Sequence, residues 1–385
     1  MKKKIVFLIR SLSYGGAERQ LVTLVKALDR QCFDVTILCF YTSDSLSLDK
    51  NLKDIDISII YLKKQGRWHL LGFFRRLVQH LQRIHPDVLH GYGGTPNLLA
   101  IFLKPFFPST QIVWGLRNSN SDSNFYDWLG RLIFRLECIL ANFADLIVVN
   151  SYAGKTYYLS HGFPPKKMMV ISNGIDIELF QPDLEARKKV RSQWGISQDT
   201  ILIGLVGRLD LRKDHPTFLK AAALLCKDSQ NVHFVCVGGG SENYARELDE
   251  LAYQLGISEK VIWEKARADM AAIYNALDII VSSSYTEGFP NVIGEAMACG
   301  VPCVVTDVGD SALIVGNPDV VVPPKNPEAL KTAMEKLIEK LSIDGCDRTE
   351  IRQRIIDRFS VAELVLKTEV ALLGLCHESI TKCKF

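Results

Sequence analysis

Residues 5–40 read IVFLIRSLSYGGAERQLVTLVKALDRQCFDVTILCF. Residues 5–9 are five apolar side chains in a row, the length of a buried strand. Ser13-Tyr14-Gly15-Gly16 interrupts the run, and from Ala17 the period changes. Ala17, Leu21, Leu24, Val25 and Leu28 fall at i, i+4, i+7, i+8 and i+11, one face of a helix. Residues 35–40 are again strand-like. Strand, helix and strand in succession predict two parallel neighbours, because parallel strands need a crossover of helical length. The basic start, Met1-Lys2-Lys3-Lys4, superficially resembles a signal peptide. Its apolar run closes at Arg10 and no small-residue cleavage site follows, so a first strand is expected instead.

The same alternation runs outward along the chain. Further strands are expected at residues 57–62, 88–90, 112–116, 146–150 and 169–172. The pattern breaks near Asn173-Gly174-Ile175-Asp176 and Gln181-Pro182, then starts afresh. Strands are expected at 201–206, 232–237, 261–263, 279–282 and 301–306, with helices over 214–226, 243–255, 291–299 and 327–341. The fold class is therefore α/β, with two consecutive doubly wound domains at 1–180 and 181–360. A helical tail, 361–385, has no following strand and is expected to pack back toward the first domain. A length of 385 residues fits two domains of the usual size.

Composition narrows the class. With 48% hydrophobic and 23% charged residues, the chain is neither disordered nor collagenous. No apolar run reaches 18 residues, so no bilayer-spanning helix is expected. Ten scattered cysteines, without a C-x-x-C pair or zinc spacing, read as reduced thiols of a cytosolic protein. A net charge of +3 names no partner, yet residues 1–180 hold 22 Lys and Arg against 14 Asp and Glu. This asymmetry fits either a surface facing phosphate or acidic lipid, or a merely solvated one.

In such folds ligands bind beyond the carboxyl ends of the strands, so the loops there hold the candidates. Gly15 and Gly16 precede the first helix, where free N–H groups suit an anion, although a plain tight turn is the simpler account. They do not form a G-x-G-x-x-G, which argues against a dinucleotide dehydrogenase. Arg208 stands just past a strand and Lys213 just before the next helix. Two cations there suit a diphosphate, with surface salt bridging as the alternative. Gly238-Gly239-Gly240 follows another strand, and Gly239 is a candidate for close ligand approach. Glu287 precedes a helix that starts near Pro290 and stops at Gly300, and Glu295 lies inside it. Those carboxylates suit sugar hydroxyls, or are an ordinary helix-end charge and an internal Glu.

Gly15-Gly16-Ala17-Glu18, Gly207-Arg208 with Lys213, and Glu287 followed by Glu295 together resemble glycosyltransferase family 4. The resemblance covers nearly the whole chain and includes Pro86-Asp87-Val88-Leu89-His90, Ser172-Asn173-Gly174-Ile175-Asp176 and Thr306-Asp307-Val308-Gly309-Asp310. It implies a GT-B fold, two Rossmann-like domains with the active site in the cleft between them. It also implies retaining transfer of a sugar from a nucleotide donor, without metal or other cofactor. On that resemblance Arg208 and Lys213 stabilise the departing diphosphate, Glu295 holds the ribose and Glu287 approaches the donor sugar. The N–H groups of Asn291 and Val292 face the donor, Gly15 and Gly16 close over it, and the base rests near residues 263–267, with Arg267 in contact. His90, Arg117 and Asn118 fall on the sugar or acceptor side. Two histidines found in many relatives are missing: Gly91-Tyr92 follows His90, and Arg117 takes the second place. Arg117 then either binds a charged group or pairs with an acid.

Residues 63–86 contain six Lys or Arg and three His, with no acidic residue. Trp68, Leu71, Phe74, Leu77, Val78 and Leu81 recur at helical spacing. Such a helix can lie on an anionic membrane or pack its stripe on its own sheet, and both hold if the leucines face the core while Lys63, Lys64, Arg67, Trp68 and Arg75 form the rim. The expected enzyme is a cytoplasmic glycosyltransferase, peripheral on the inner face of the inner membrane. It would use a nucleotide-sugar, with UDP favoured, and a saccharide or lipid-linked saccharide acceptor in surface polysaccharide or lipopolysaccharide assembly. Nucleic acid is not an expected partner. A sugar-nucleotide epimerase and a catalytically weak nucleotide-sugar-binding subunit are the alternatives.

Overall fold

A computed structural model describes residues 2–13, 15–42, 48–52, 55, 57–66, 71–117, 128–228, 231–343 and 348–382. The chain divides into two compact units, Met1–Gly174 with Val361–Phe385, and Ile175–Ser360.

The first unit carries β1 (Lys3–Ile9), β2 (Phe33–Cys39), β3 (Ser58–Tyr61), β4 (Val88–Tyr92), β5 (Gln111–Leu116), β6 (Leu146–Val149) and β7 (Met168–Val170). They form one sheet in the order β3-β2-β1-β4-β5-β6-β7, parallel at every pairing. Helices α1 (Gly16–Ala27), α2 (Leu71–Ile84), α3 (Gly94–Leu103), α4 (Trp128–Leu140) and α5 (Tyr152–Ser160) lie between strands. β1 shows how the sheet is buried. Ile5, Phe7 and Ile9 enter the core shared with α1, while Val6 and Leu8 enter the core shared with α2 and α3. A strand with both faces covered needs apolar residues at every position, which residues 5–9 supply.

The second unit carries α6 (Leu184–Gln193), then β8 (Ile201–Val206), α7 (His215–Asp228), β9 (Val232–Val237), α8 (Glu242–Gln254), β10 (Val261–Glu264), α9 (Met270–Ala276) and β11 (Ile279–Ser282). It continues with α10 (Asn291–Ala298), β12 (Cys303–Thr306), α11 (Ser311–Val315), β13 (Val321–Val322), α12 (Pro327–Ile343) and α13 (Arg348–Phe359). Its sheet runs β10-β9-β8-β11-β12-β13, again all parallel. β13 is two residues long, too short to carry a periodic signal. No described helix is long and apolar enough to cross a membrane, and the seven cysteines whose state is described are free thiols.

The division between units falls at Gly174–Ile175, not at residue 180. Gly174 is tied to the first unit by Gln20, whose amide donates to the Gly174 carbonyl (3.0 Å) and accepts from its N–H (2.9 Å). Ile175 donates instead to the Phe359 carbonyl (2.7 Å). The tail is α14 (Val361–Lys382), part of the first unit and packed on α1.

A buried ionic knot fixes the start of the second unit. Asp278 accepts from Arg187 Nη2 (2.7 Å), Arg191 Nη1 (3.1 Å) and the Leu202 N–H (2.8 Å), and Arg191 is fully buried. Removing one partner of such a set leaves buried charge uncompensated. Asp278→Ala is therefore expected to lose about 3 to 5 kcal/mol in urea unfolding. A loss no larger than that of an exposed Asp-to-Ala control would show that the knot contributes little.

Candidate active site

Strand order reverses between β1 and β4 in the first unit and between β8 and β11 in the second. Ligands of doubly wound sheets bind at such switch points, beyond the carboxyl ends. In the second unit the loops leaving β8 and β11, residues 207–214 and 283–290, meet there.

The loop after β8 separates its three cations. Arg212 is held by Asp210, which accepts from its Nε (2.9 Å), Nη2 (2.7 Å) and backbone N–H (3.0 Å). These bonds from Arg212 hold the Asp210 carboxyl far below the usual carboxylate range. Arg208 is exposed and makes no hydrogen bond or ion pair with a described residue. Lys213 ends a 3₁₀ turn (Leu211–Lys213) that Asp210 caps. Its Nζ donates to Glu287 Oε1 at 2.6 Å, and Ser284 Oγ donates to the same oxygen at 2.8 Å. Ser283 Oγ pins the backbone beneath, bonding the Lys213 and Asp214 carbonyls (2.9 and 3.0 Å). Lys213 and Glu287, two of the candidate residues, are thus brought together. Ser283 and Ser284, which hold them, carry no signal beyond lying in the strand-end loop.

Gly309 braces the loop of Glu287. It has φ +59, and a β-carbon there would sit 2.6 Å from the carbonyl oxygens of Glu287 and Gly288. The Asp310 N–H then donates to the Gly288 carbonyl (2.8 Å). Leu209 forms a bridge to Gly240, where a β-carbon would lie 2.5 Å from that of Leu209. A β-carbon at Gly239 would meet nothing nearer than that of Ala266, at 3.8 Å, so there is open space on that side of the glycine. Asn291 and Val292 open α10, with Pro290 at its cap.

Two expected donor residues have other partners. Glu295 is buried, and its Oε2 accepts from the Tyr274 hydroxyl at 2.7 Å. Arg267 is turned onto Asp269 (Nε to Oδ1, 2.8 Å) and Gln193 (3.4 Å). An Asp two residues along, in a turn, is a partner that spacing alone does not reveal.

In the first unit, Gly15 caps α1. A β-carbon there would collide with Glu18 Oε2 at 2.2 Å, whereas Gly16 has open space. Only the mobile end of the Glu18 side chain lies over Gly15, and Gly16 has open space beside it. His90 is buried in the middle of β4, with no hydrogen bond to either ring nitrogen. Burial first, then the charge of Arg117, push its pKa down to about 3, so the imidazole is neutral. The Arg117 guanidinium lies 4.4 Å above the Tyr92 ring and donates to the Tyr92 hydroxyl and to Asn173 Oδ1 (3.3 Å). Among the described residues it pairs with no acid. Asn118, Arg67 and Trp68 lie outside the described residues. In α2, Phe73, Leu77 and Leu81 are buried on the unit's own sheet, as the packing alternative required, while Lys63, Leu71 and Arg75 are exposed.

Two doubly wound units, the second with a cationic strand-end loop tied to a carboxylate, are an architecture that suits phosphate-bearing ligands at the strand ends. Residues 186–357 match the family described as Glycosyl transferases group 1, and residues 14–179 match Glycosyltransferase Family 4. The chain belongs to this glycosyltransferase family. It is 26% identical over 314 residues to the putative glycosyltransferase EpsF of Bacillus subtilis, covering 80% of this chain and 79% of that protein. It is similar in fold to HepE of Anabaena, solved in complex with UDP, with TM-score 0.85 at 23% identity over 96% of this chain and 100% of that one. It is also similar to WaaG, a glycosyltransferase involved in lipopolysaccharide biosynthesis, with TM-score 0.72 at 16% identity, 96% of this chain and 100% of that one.

One buried acid near the switch point of the first unit was not foreseen. Asn97 bonds both backbone groups of Gly115 (3.3 Å each) and donates to Glu137 Oε1 (3.2 Å). Burial raises the Glu137 pKa from 4.5 to about 7. A raised carboxyl binds its proton more tightly in the folded state, so stability falls as pH rises from the ordinary value toward 7. Glu137→Gln keeps the acceptor oxygen and removes the buried charge. The melting temperature of this variant is expected to exceed the wild type's at about pH 8 and to converge with it near pH 5. Parallel curves would remove the assignment.

Proposed function

We propose that this glycosyltransferase retains anomeric configuration, needs no metal, and moves a hexosyl group from a UDP-sugar to a lipid-linked saccharide. The observation that carries the reading is the Lys213–Glu287 pair of 2.6 Å at the switch point, with exposed Arg208 beside it. A departing diphosphate gains charge as the sugar's C1–O bond breaks. Lys213, fixed there, and Arg208, exposed in the same loop, stabilise that charge where it develops, the role a metal otherwise fills. The tie to Glu287 holds the lysine's long chain in place before the donor arrives. The acceptor hydroxyl attacks C1 from the face the diphosphate leaves, and its proton passes to a departing phosphate oxygen. Glu287 stands toward the sugar, Glu295 takes the ribose hydroxyls, and the Asn291 and Val292 N–H groups face the donor.

UDP as donor nucleotide is supported by HepE having been solved with UDP and with UDP-glucose. A lipid-linked acceptor in surface polysaccharide or lipopolysaccharide assembly is supported by the basic first unit and by what WaaG is described as doing. The enzyme then works as a peripheral protein on the cytoplasmic face of the inner membrane. Residues 63–86 contribute Lys63, Leu71 and Arg75 to that contact.

Ligand that binds only the native state raises its melting temperature. UDP-sugars in EDTA are expected to raise it, with GDP- and ADP-sugars giving less. A rise only with GDP-sugars would overturn the base assignment, and a rise only after a divalent metal is added would overturn metal independence. Lys213→Ala and Glu287→Ala are each expected to fold and to lose about 100-fold in kcat/KM for transfer. Unchanged transfer kinetics in a folded Lys213→Ala enzyme would remove the diphosphate assignment.

A further inference from the structure

The exposed side of α4 is built unlike an ordinary solvated helix face. Trp128, Arg131, Leu132, Arg135 and Ile139 fall at i, i+3, i+4, i+7 and i+11, one stripe down the helix. All five are exposed, Trp128 at 71% and Ile139 at 67%. Phe143, just past the helix, is exposed as well. The opposite side does the packing: Ile133, Phe134 and Leu136 lie against the core, and Glu137 is buried there beneath Asn97. The one acid of α4 therefore faces inward, and its outer face is apolar and cationic only. Neither Arg131 nor Arg135 makes an ion pair with a described residue. Water is a poor solvent for the three large apolar side chains, and nothing among the described residues neutralises the two arginines.

We infer that the outer face of α4 is the principal surface by which this enzyme docks on an anionic lipid bilayer. Trp128, Leu132 and Ile139 would enter the headgroup layer, and Arg131 and Arg135 would meet lipid phosphates. The inference rests on the membrane-bound reading of the acceptor and names the surface that serves it. Charge complementarity chooses the occupant. A protein groove would satisfy the apolar residues, but the arginines interleaved among them call for dense negative charge at the same depth. A bilayer interface supplies both. By comparison α2 turns most of its apolar stripe inward, and Arg76 is bonded to the Leu62 carbonyl (2.9 Å).

The full chain would be sedimented with vesicles of phosphatidylcholine alone, and of phosphatidylcholine with an equal amount of phosphatidylglycerol. Binding is expected on the mixed vesicles and to weaken with salt. Trp128→Ser with Ile139→Ser, and separately Arg131→Gln with Arg135→Gln, are each expected to lower the partition coefficient about tenfold. Melting temperatures should stay unchanged, since all four positions are exposed. Hydrolysis of UDP-sugar in solution, measured in parallel, reports the donor site without lipid and should not change. If both α4 variants bind as wild type while Lys63→Gln with Arg75→Gln does not, the membrane reading stands and the α4 assignment falls. If the wild type binds no vesicles, both fall. A lipid-free dimer that Ile139→Ser dissolves, with no vesicle binding, would make the face an interface between copies and overturn the inference.

Discussion

In an all-parallel sheet each strand is followed by a crossover that carries the chain back to its starting edge. The loops leaving the carboxyl ends therefore collect along one edge, and where strand order reverses two of them part without a helix between. Residues 207–214 and 283–290 are those loops in the second unit. Lys213 and Glu287, 74 residues apart in sequence, meet at 2.6 Å because β8 and β11 are hydrogen-bonded neighbours. Hydrogen bonds then refine what topology brings together. Ser283 fixes the lysine's backbone and Ser284 fixes its carboxylate partner, so the orientation of the pair is set before any ligand contributes.

Much of this was legible in the chain. Strands buried on both faces are unbroken apolar runs, so β1, β8, β9 and β11 stand out from residues 5–9, 201–206, 232–237 and 279–282. Less legible were elements without a strong period. β13 has two residues, and α6 is mostly charged, held by Asp183 at its cap and by the arginines that reach Asp278. The boundary between units was misplaced because Gln181-Pro182 is the stronger local break. The chain changes units where Gln20 lets go and Phe359 takes over, and both contacts are long-range.

The candidate site shows a subtler limit. Arg208, Arg212 and Lys213 are cations within six residues, and composition cannot rank them. Asp210 decides, by holding Arg212 through three bonds and leaving Arg208 exposed. The same holds for Arg267, whose pairing with Asp269 depends on the turn between them. Spacing identifies residue types that suit a diphosphate; which of them are already paired is a property of the folded loop.

The two units also resemble each other in how they hold charge. Each buries a histidine without a hydrogen-bond partner on its ring, His90 in the first and His215 in the second. Burial, followed by a neighbouring cation, Arg117 for one and Lys213 for the other, keeps both neutral, near pKa 3 and 4. An imidazole that took up a proton there would add a second positive charge in a place water cannot reach. The positive charge at each switch point thus resides on arginine and lysine and not on histidine. The histidines beside those cations contribute shape without contributing charge.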